Sequence, residues 1–178
     1  MKGSQTNKKS ITGEFIKNWT WSFLLLPLMV YYTVNAGKFT FIDYINLLIH
    51  EGGHGIFKIF GKYIYTLGGS LMQILIPGMF VVFYIIKGKR FGAQVFMIWL
   101  GENLINISVY AADARAKALP LLGGERVYHD WNYLLTEINM LEYDQTFGAV
   151  FYGAGIIFFI LSFFIPLFVK NNNNFIGY

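Results

Sequence analysis

The chain has no cysteine among its 178 residues. Disulfides, thiol catalysis and thiolate metal ligands are therefore excluded, and any bound zinc must be held by His, Asp or Glu. Charge is also scarce, at 13% of residues, about half of the roughly 25% carried by a soluble domain. No stretch interleaves basic and aromatic residues, and the lysines cluster at segment ends. The net charge of +4 therefore points to membrane topology and to no nucleic acid partner. Hydrophobic residues make up 55% of the chain and aromatic ones 19%, with 18 Phe and 12 Tyr. That balance is a membrane protein's, with a surface for the lipid bilayer and interfacial aromatic belts. The length sets one domain as the expectation, and no internal repeat is visible.

Histidine occurs only three times, and two of the three fall in one motif. His50-Glu51-Gly52-Gly53-His54 is H-E-x-x-H, set in the greasy run from Phe41 to Phe60. On a helix the two imidazoles lie one turn apart on one face, where both can hold a single Zn²⁺. Glu51 then stands beside the metal and can take a proton from zinc-bound water, whose pKa the metal lowers to roughly 7. Ionisable groups inside a membrane-like stretch are costly, and a functional site is the default reading.

In chain order, residues 1–18 read as a basic cytoplasmic tail with Lys2, Lys8, Lys9 and Lys17. Trp19 to Gly37 reads as a first span kinked at Pro27, a retained signal anchor in preference to a cleaved signal peptide. Thr40 and Asp43 form a capping-box variant that starts the motif helix. Asp43 shares a face with His50 and His54, so it either caps or supports the metal ligands. Gly52, Gly53 and Gly55 weaken a helix by about 1 kcal/mol each, which implies close approach by a substrate or a neighbouring helix. Tyr63 to Leu67 alternates and is broken by Gly68-Gly69, predicting a short strand or re-entrant turn. Its edge would lie against protein or a watery cavity and could take an extended substrate by strand addition. Gln73 beyond it is a substrate contact or a helix-to-helix bond.

Further spans are expected over Leu71–Ile86, kinked at Pro77, over Phe91–Ala112, and over Phe147–Val169, kinked near Pro166. Glu102, Asn106 and Asp113 form one inward-looking stripe, where Glu102 needs a partner or a proton. Asn106 joins Gly68, Gly69 and Gln73 as candidate substrate contacts. Asp130 is expected to cap a short helix from Trp131 to Leu135. Residues 171–178 read as a polar tail after a single transmembrane domain over 19–170. The fold class expected is an all-α membrane protein of about five transmembrane helices, with the short strand or turn after the motif helix.

Catalytic zinc usually takes three protein ligands and water. His129 and Asp130 both lie in the one long polar connection, so either completes the set while the other orients it. Asp113 is the outside candidate. The plainer alternative leaves Asp130 as a helix cap and His129 as a loop residue.

The chain resembles the site-2 protease group of intramembrane zinc metalloproteases, in particular its small bacterial M50B-like relatives. The resemblance rests on His50-Glu51-Gly52-Gly53-His54, on Tyr63 to Gly69, and on the stretch from Asp113-Ala114-Arg115 through Leu119-Pro120-Leu121-Leu122-Gly123-Gly124 to His129-Asp130-Trp131. It implies zinc ligation by His50 and His54, Glu51 as base, a distal acidic ligand, a membrane-protein or peptide substrate, and a multi-pass location in the bacterial inner membrane. The Leu-Asp-Gly that supplies the third ligand in site-2 proteases is missing here, and there is no PDZ-like insertion. The rival readings are a non-catalytic metal-binding or partner-binding membrane scaffold and a helical scaffold without zinc.

With five straight crossings, nine of the 14 Lys and Arg lie inside: Lys2, Lys8, Lys9, Lys17, Lys58, Lys62, Arg115, Lys117 and Arg126. If the motif helix dips and returns, the number inside is eight. Both topologies put the His54 end and the His129 connection on one side of the membrane.

Overall fold

The structure, a computed structural model, describes residues 3–120 and 128–170, with side chains from Ile16 on, Lys17 excepted. Leu121, Leu122, Gly123, Gly124 and Arg126 of the long connection lie outside the described residues, as does the predicted polar tail. The described residues form six α-helices: α1 (Gly3–Val34), α2 (Phe41–Phe57), α3 (Lys62–Ile86), α4 (Arg90–Ala112), α5 (Asp130–Glu137) and α6 (Asp144–Phe168). Short 3₁₀ turns over Lys58–Phe60 and Leu141–Tyr143 precede α3 and α6. Gly61 and Gly88, with φ of +86° and +63°, make the sharp turns between α2 and α3 and between α3 and α4. The prolines at 27, 77 and 166 all sit inside continuous helices.

Three helices are long and apolar enough to cross a membrane, over Lys62–Ile86, Arg90–Ala112 and Leu141–Phe168. The motif helix α2 has 17 residues, so it rises about 25 Å, short of the roughly 30 Å hydrocarbon core. Its outer face is nonetheless apolar and exposed, with Phe41, Tyr44, Leu48 and Ile56. The lipid-compatible exterior continues over α1, α3 and α6.

The expected strand is not there. Tyr63 to Leu67 lies in the first turns of α3, and Gly68-Gly69 lies within the helix. Five alternating residues are a short signal, and packing overrode it. The buried positions Thr66, Gly69, Ser70, Gln73 and Pro77 repeat at helical spacing and turn one stripe inward. A helix also satisfies its backbone internally, as a low-dielectric setting demands.

Helix α4 is the centre of the bundle: 61% of its apolar window is buried, against 28% for α3 and 22% for α6. It packs between α3 and α6, with α1 across it, while α2 lies against α3 and α5 against α3 and α4. Close backbone contact requires glycine at two crossings. A Cβ on Gly155 of α6 would stand 2.7 Å from the Gly101 carbonyl oxygen of α4. A Cβ on Gly53 of α2 would stand 2.2 Å from the Gly68 carbonyl oxygen of α3. Such small-residue contacts are how helices associate where lipid offers no hydrophobic drive. Polar bonds add to them away from the site. Gln94 Nε2 donates to Ser22 Oγ at 2.7 Å and to the Ser162 carbonyl at 3.1 Å, joining α4, α1 and α6.

Candidate metal centre

The capping box at the start of α2 fixes the register of everything that follows. Thr40 donates to Asp43 Oδ2 from its backbone N–H at 2.6 Å and from its hydroxyl at 2.7 Å. One face of α2 then buries Asp43, Asn46, His50 and Gly53 against α3, with hydrogen bonds linking Asp43 and Asn46 to α4. Asn46 answers the question of the buried Glu102: its Nδ2 donates to Glu102 Oε2 at 2.7 Å, while Trp99 Nε1 donates to Asn46 Oδ1 at 2.8 Å.

The connection after α4 is built around Asp113. Its carboxylate accepts from the backbone N–H groups of Ala118 and Leu119 at 2.9 and 3.0 Å and from His129 Nε2 at 3.3 Å. Arg115 reaches Asp144 with two side-chain contacts at 2.7 and 2.9 Å, pinning the connection to the start of α6. Trp131 anchors α5 by donating to Ser70 Oγ on α3 at 3.2 Å and by packing with Ile107, Ala111, Leu134 and Leu135.

The cap of α5 is His129, not Asp130 as expected. His129 Nδ1 accepts from the Asn132 N–H at 3.3 Å, so its Nε2 carries the proton donated to Asp113. Burial lowers its pKa, with Asp113 opposing, which agrees with a neutral ring. Both nitrogens are thus engaged, and the structure does not bring His129 to the other two histidines. Asp130, one residue on, is the first residue of the helix and is turned into the bundle.

His50, His54 and Asp130 come together, each offering one ligand atom, and these atoms all lie within 4.8 Å of one another. His50 Nε2 is 2.9 Å and His54 Nε2 is 3.1 Å from the same Asp130 oxygen, Oδ2. All three side chains are largely buried, at 9, 12 and 10% exposure.

The chemistry of this donor set fits a metal ion. Asn106 Nδ2 donates to Asp43 Oδ1 at 2.7 Å, which leaves its oxygen to accept from Gln73 Nε2 at 3.1 Å. Gln73 then presents Oε1 to His50 Nδ1 at 2.9 Å. That chain leaves His50 protonated on Nδ1 with an Nε2 lone pair aimed at Asp130. His54 Nδ1 donates in the same way to the Tyr65 carbonyl at 2.8 Å. Two imidazole lone pairs and a carboxylate oxygen therefore converge, and only added protons or a metal cation reconciles them. Tetrahedral zinc with bonds of about 2.0–2.2 Å places its ligand atoms roughly 3.3 Å apart, close to the spacings found.

A cavity of about 460 Å³ reaches this centre, lined among others by His50, Glu51, His54, Asp130, Asp43 and Glu102. Glu51 forms no hydrogen bond within the described residues and is exposed to this space. Gln73 and Asn106, expected to touch substrate, border the cavity but spend their polar atoms on His50, Asp43 and each other. Gly68 and Gly69 serve close packing. A Cβ on Gly69 would stand 2.5 Å from His50 Nε2, so its bareness is what admits the imidazole. Gly53 fits the same packing, whereas Gly52 and Gly55 have nothing within 4 Å of an added Cβ.

Gln73→Leu is expected to leave the helices intact and to weaken divalent-metal binding about 10- to 100-fold, the usual cost of losing the partner that orients a ligating imidazole. Chelator competition on the purified protein checks it; unaltered affinity would show that the amide chain does not orient His50.

Sequence reasoning passed over Asn46, the Tyr65 carbonyl and Tyr110. Asn46 and Tyr110 were visible in principle. Asn46 lies on the Asp43–His50 face, and Tyr110 extends the Glu102–Asn106 stripe by one more turn. A backbone carbonyl carries no such signal. No protein-family model, curated protein or solved structure matches the chain.

Proposed function

We propose that this chain is a membrane-embedded, zinc-dependent peptidase of the site-2 protease kind, acting in the bacterial inner membrane on membrane-protein or peptide substrates. One observation carries the reading: two oriented imidazole lone pairs and the Asp130 carboxylate meet in the lining of a cavity that Glu51 also borders. Three protein ligands suit a catalytic centre, which keeps a position open. The residue that would close a fourth, His129, is bound to Asp113 and Asn132.

Zinc, when bound, acidifies water and polarises a carbonyl oxygen. The chain's residues do the rest. His50 and His54 present Nε2 because Gln73 and Tyr65 hold their Nδ1 protons. Asp130 supplies the anionic ligand that site-2 proteases draw from Leu-Asp-Gly. Glu51 accepts the proton of the attacking water and delivers it to the leaving amine as the C–N bond breaks. Helices α2, α3 and α4 keep bulk water to the cavity side, which strengthens each of these interactions.

The test is metal content. Purified wild type is expected to hold about one zinc per chain, and His54→Ala less than about a tenth of that, since two ligands bind poorly. Elemental analysis decides it, and equal zinc in both proteins would overturn the ligand assignment.

A further inference from the structure

We propose that Tyr110 is a catalytic residue of this centre, its phenolic O–H donating to the substrate carbonyl oxygen as negative charge develops there. The proposal rests on the peptidase reading. Tyr110 projects from α4 one turn beyond Asn106 and borders the cavity that holds Glu51 and Asp130. Its ring stands edge-on to His50 at 5.9 Å between centroids and packs on His129 at 4.3 Å, which locks its direction. Its oxygen accepts the backbone N–H of Asp130 at 3.1 Å. The phenol proton has no acceptor among the described residues, so it is available to the cavity.

Elimination leads to the same group. Peptide hydrolysis turns a carbonyl oxygen into an oxyanion, and a fixed donor at that point is commonly a large contribution to rate. Glu51 and Asp130 are acceptors. The Nδ1 protons of both histidines and the NH₂ of Gln73 are already spent. The hydroxyls of Tyr65 and Tyr110 remain beside the centre, and of these Tyr110 alone has its oxygen held by a hydrogen bond. Accepting the Asp130 N–H also polarises the phenol and makes it a stronger donor. In the step itself, water oxygen bonds to the carbonyl carbon and its proton passes to Glu51. The C=O electron pair moves to oxygen, where Tyr110 donates a hydrogen bond without losing its proton. Collapse then breaks C–N, with the Glu51 proton going to nitrogen.

The experiment uses two probes on the zinc-loaded, detergent-purified full chain: a phosphinic pseudodipeptide, which carries the tetrahedral oxyanion, and a mercaptoacyl dipeptide, which binds through sulfur and has none. Tyr110→Phe is expected to weaken the phosphinic probe about 10- to 100-fold, the cost of a lost hydrogen bond to a charged group. The thiol probe and zinc affinity should stay within about threefold. A merely structural Tyr110 would weaken both probes together, or zinc itself, and that result overturns the proposal. So does an unchanged phosphinic affinity in Tyr110→Phe. If neither probe binds the wild type, the peptidase reading fails and takes this inference with it.

Discussion

Glu51→Gln is expected to keep its zinc and to lose about a thousandfold or more in cleavage of an unfolded protein probe such as casein. The amide has nearly the same shape as the carboxylate, and Glu51 makes no hydrogen bond within the described residues that the change would break. Neither histidine depends on it: His50 is oriented by Gln73 and His54 by the Tyr65 carbonyl. Gln cannot accept the water proton or return it to the amine, and a positioned acid–base group contributes about 10²–10⁴-fold. Zinc content and cleavage are measured on the same preparations. Full activity in the variant would end the mechanism; loss of zinc along with activity would mean that Glu51 helps hold the ion.

Gly53→Ala is expected to abolish metal binding, while Gly52→Ala, its neighbour in the same motif, leaves it intact. The two glycines are equivalent letters in H-E-x-x-H, but one faces α3 and the other open space. A Cβ at 53 would sit 2.2 Å from the Gly68 carbonyl oxygen, 2.7 Å from its carbon and 2.9 Å from Met72 Cγ, so rigid backbone would have to move. Overpacking of this kind costs about 1–3 kcal/mol or more. Here it also separates α2 from α3, the helix that supplies the Gln73 and Tyr65 partners of both histidines. At 52 an added methyl meets nothing within 4 Å, and replacing glycine inside a helix gains up to about 1 kcal/mol. Thermal unfolding and zinc titration of the two variants check the contrast. Similar behaviour at both positions would show that the α2–α3 contact is not what supports the centre.

Much of the scaffold was legible in the chain itself. Hydropathy placed α4 to within one residue and α6 to within three, and Thr40-x-x-Asp43 marked where the motif helix begins, because capping is local chemistry. The pair His50 and His54 was equally plain, since i and i+4 on any helix point the same way. The five residues after Lys62 misled because alternation and β-branching describe only local preference. The choice of helix there came from Gly68 packing beneath Gly53, a contact between residues 15 apart.

What the sequence by itself determined is the greasy helical framework and two imidazoles on one helix face, all consequences of spacing and composition. The tertiary structure decided which residue completes the set. His129 and Asp130 are neighbours, but His129 stands in extended backbone at the cap while Asp130 opens the helix, so their side chains leave in different directions. The docking of Trp131 against Ser70 and α4 set the rotation of α5, so the carboxylate faces the histidines and the imidazole turns back to Asp113. No local pattern encodes that rotation, because it is fixed by where three distant helices meet.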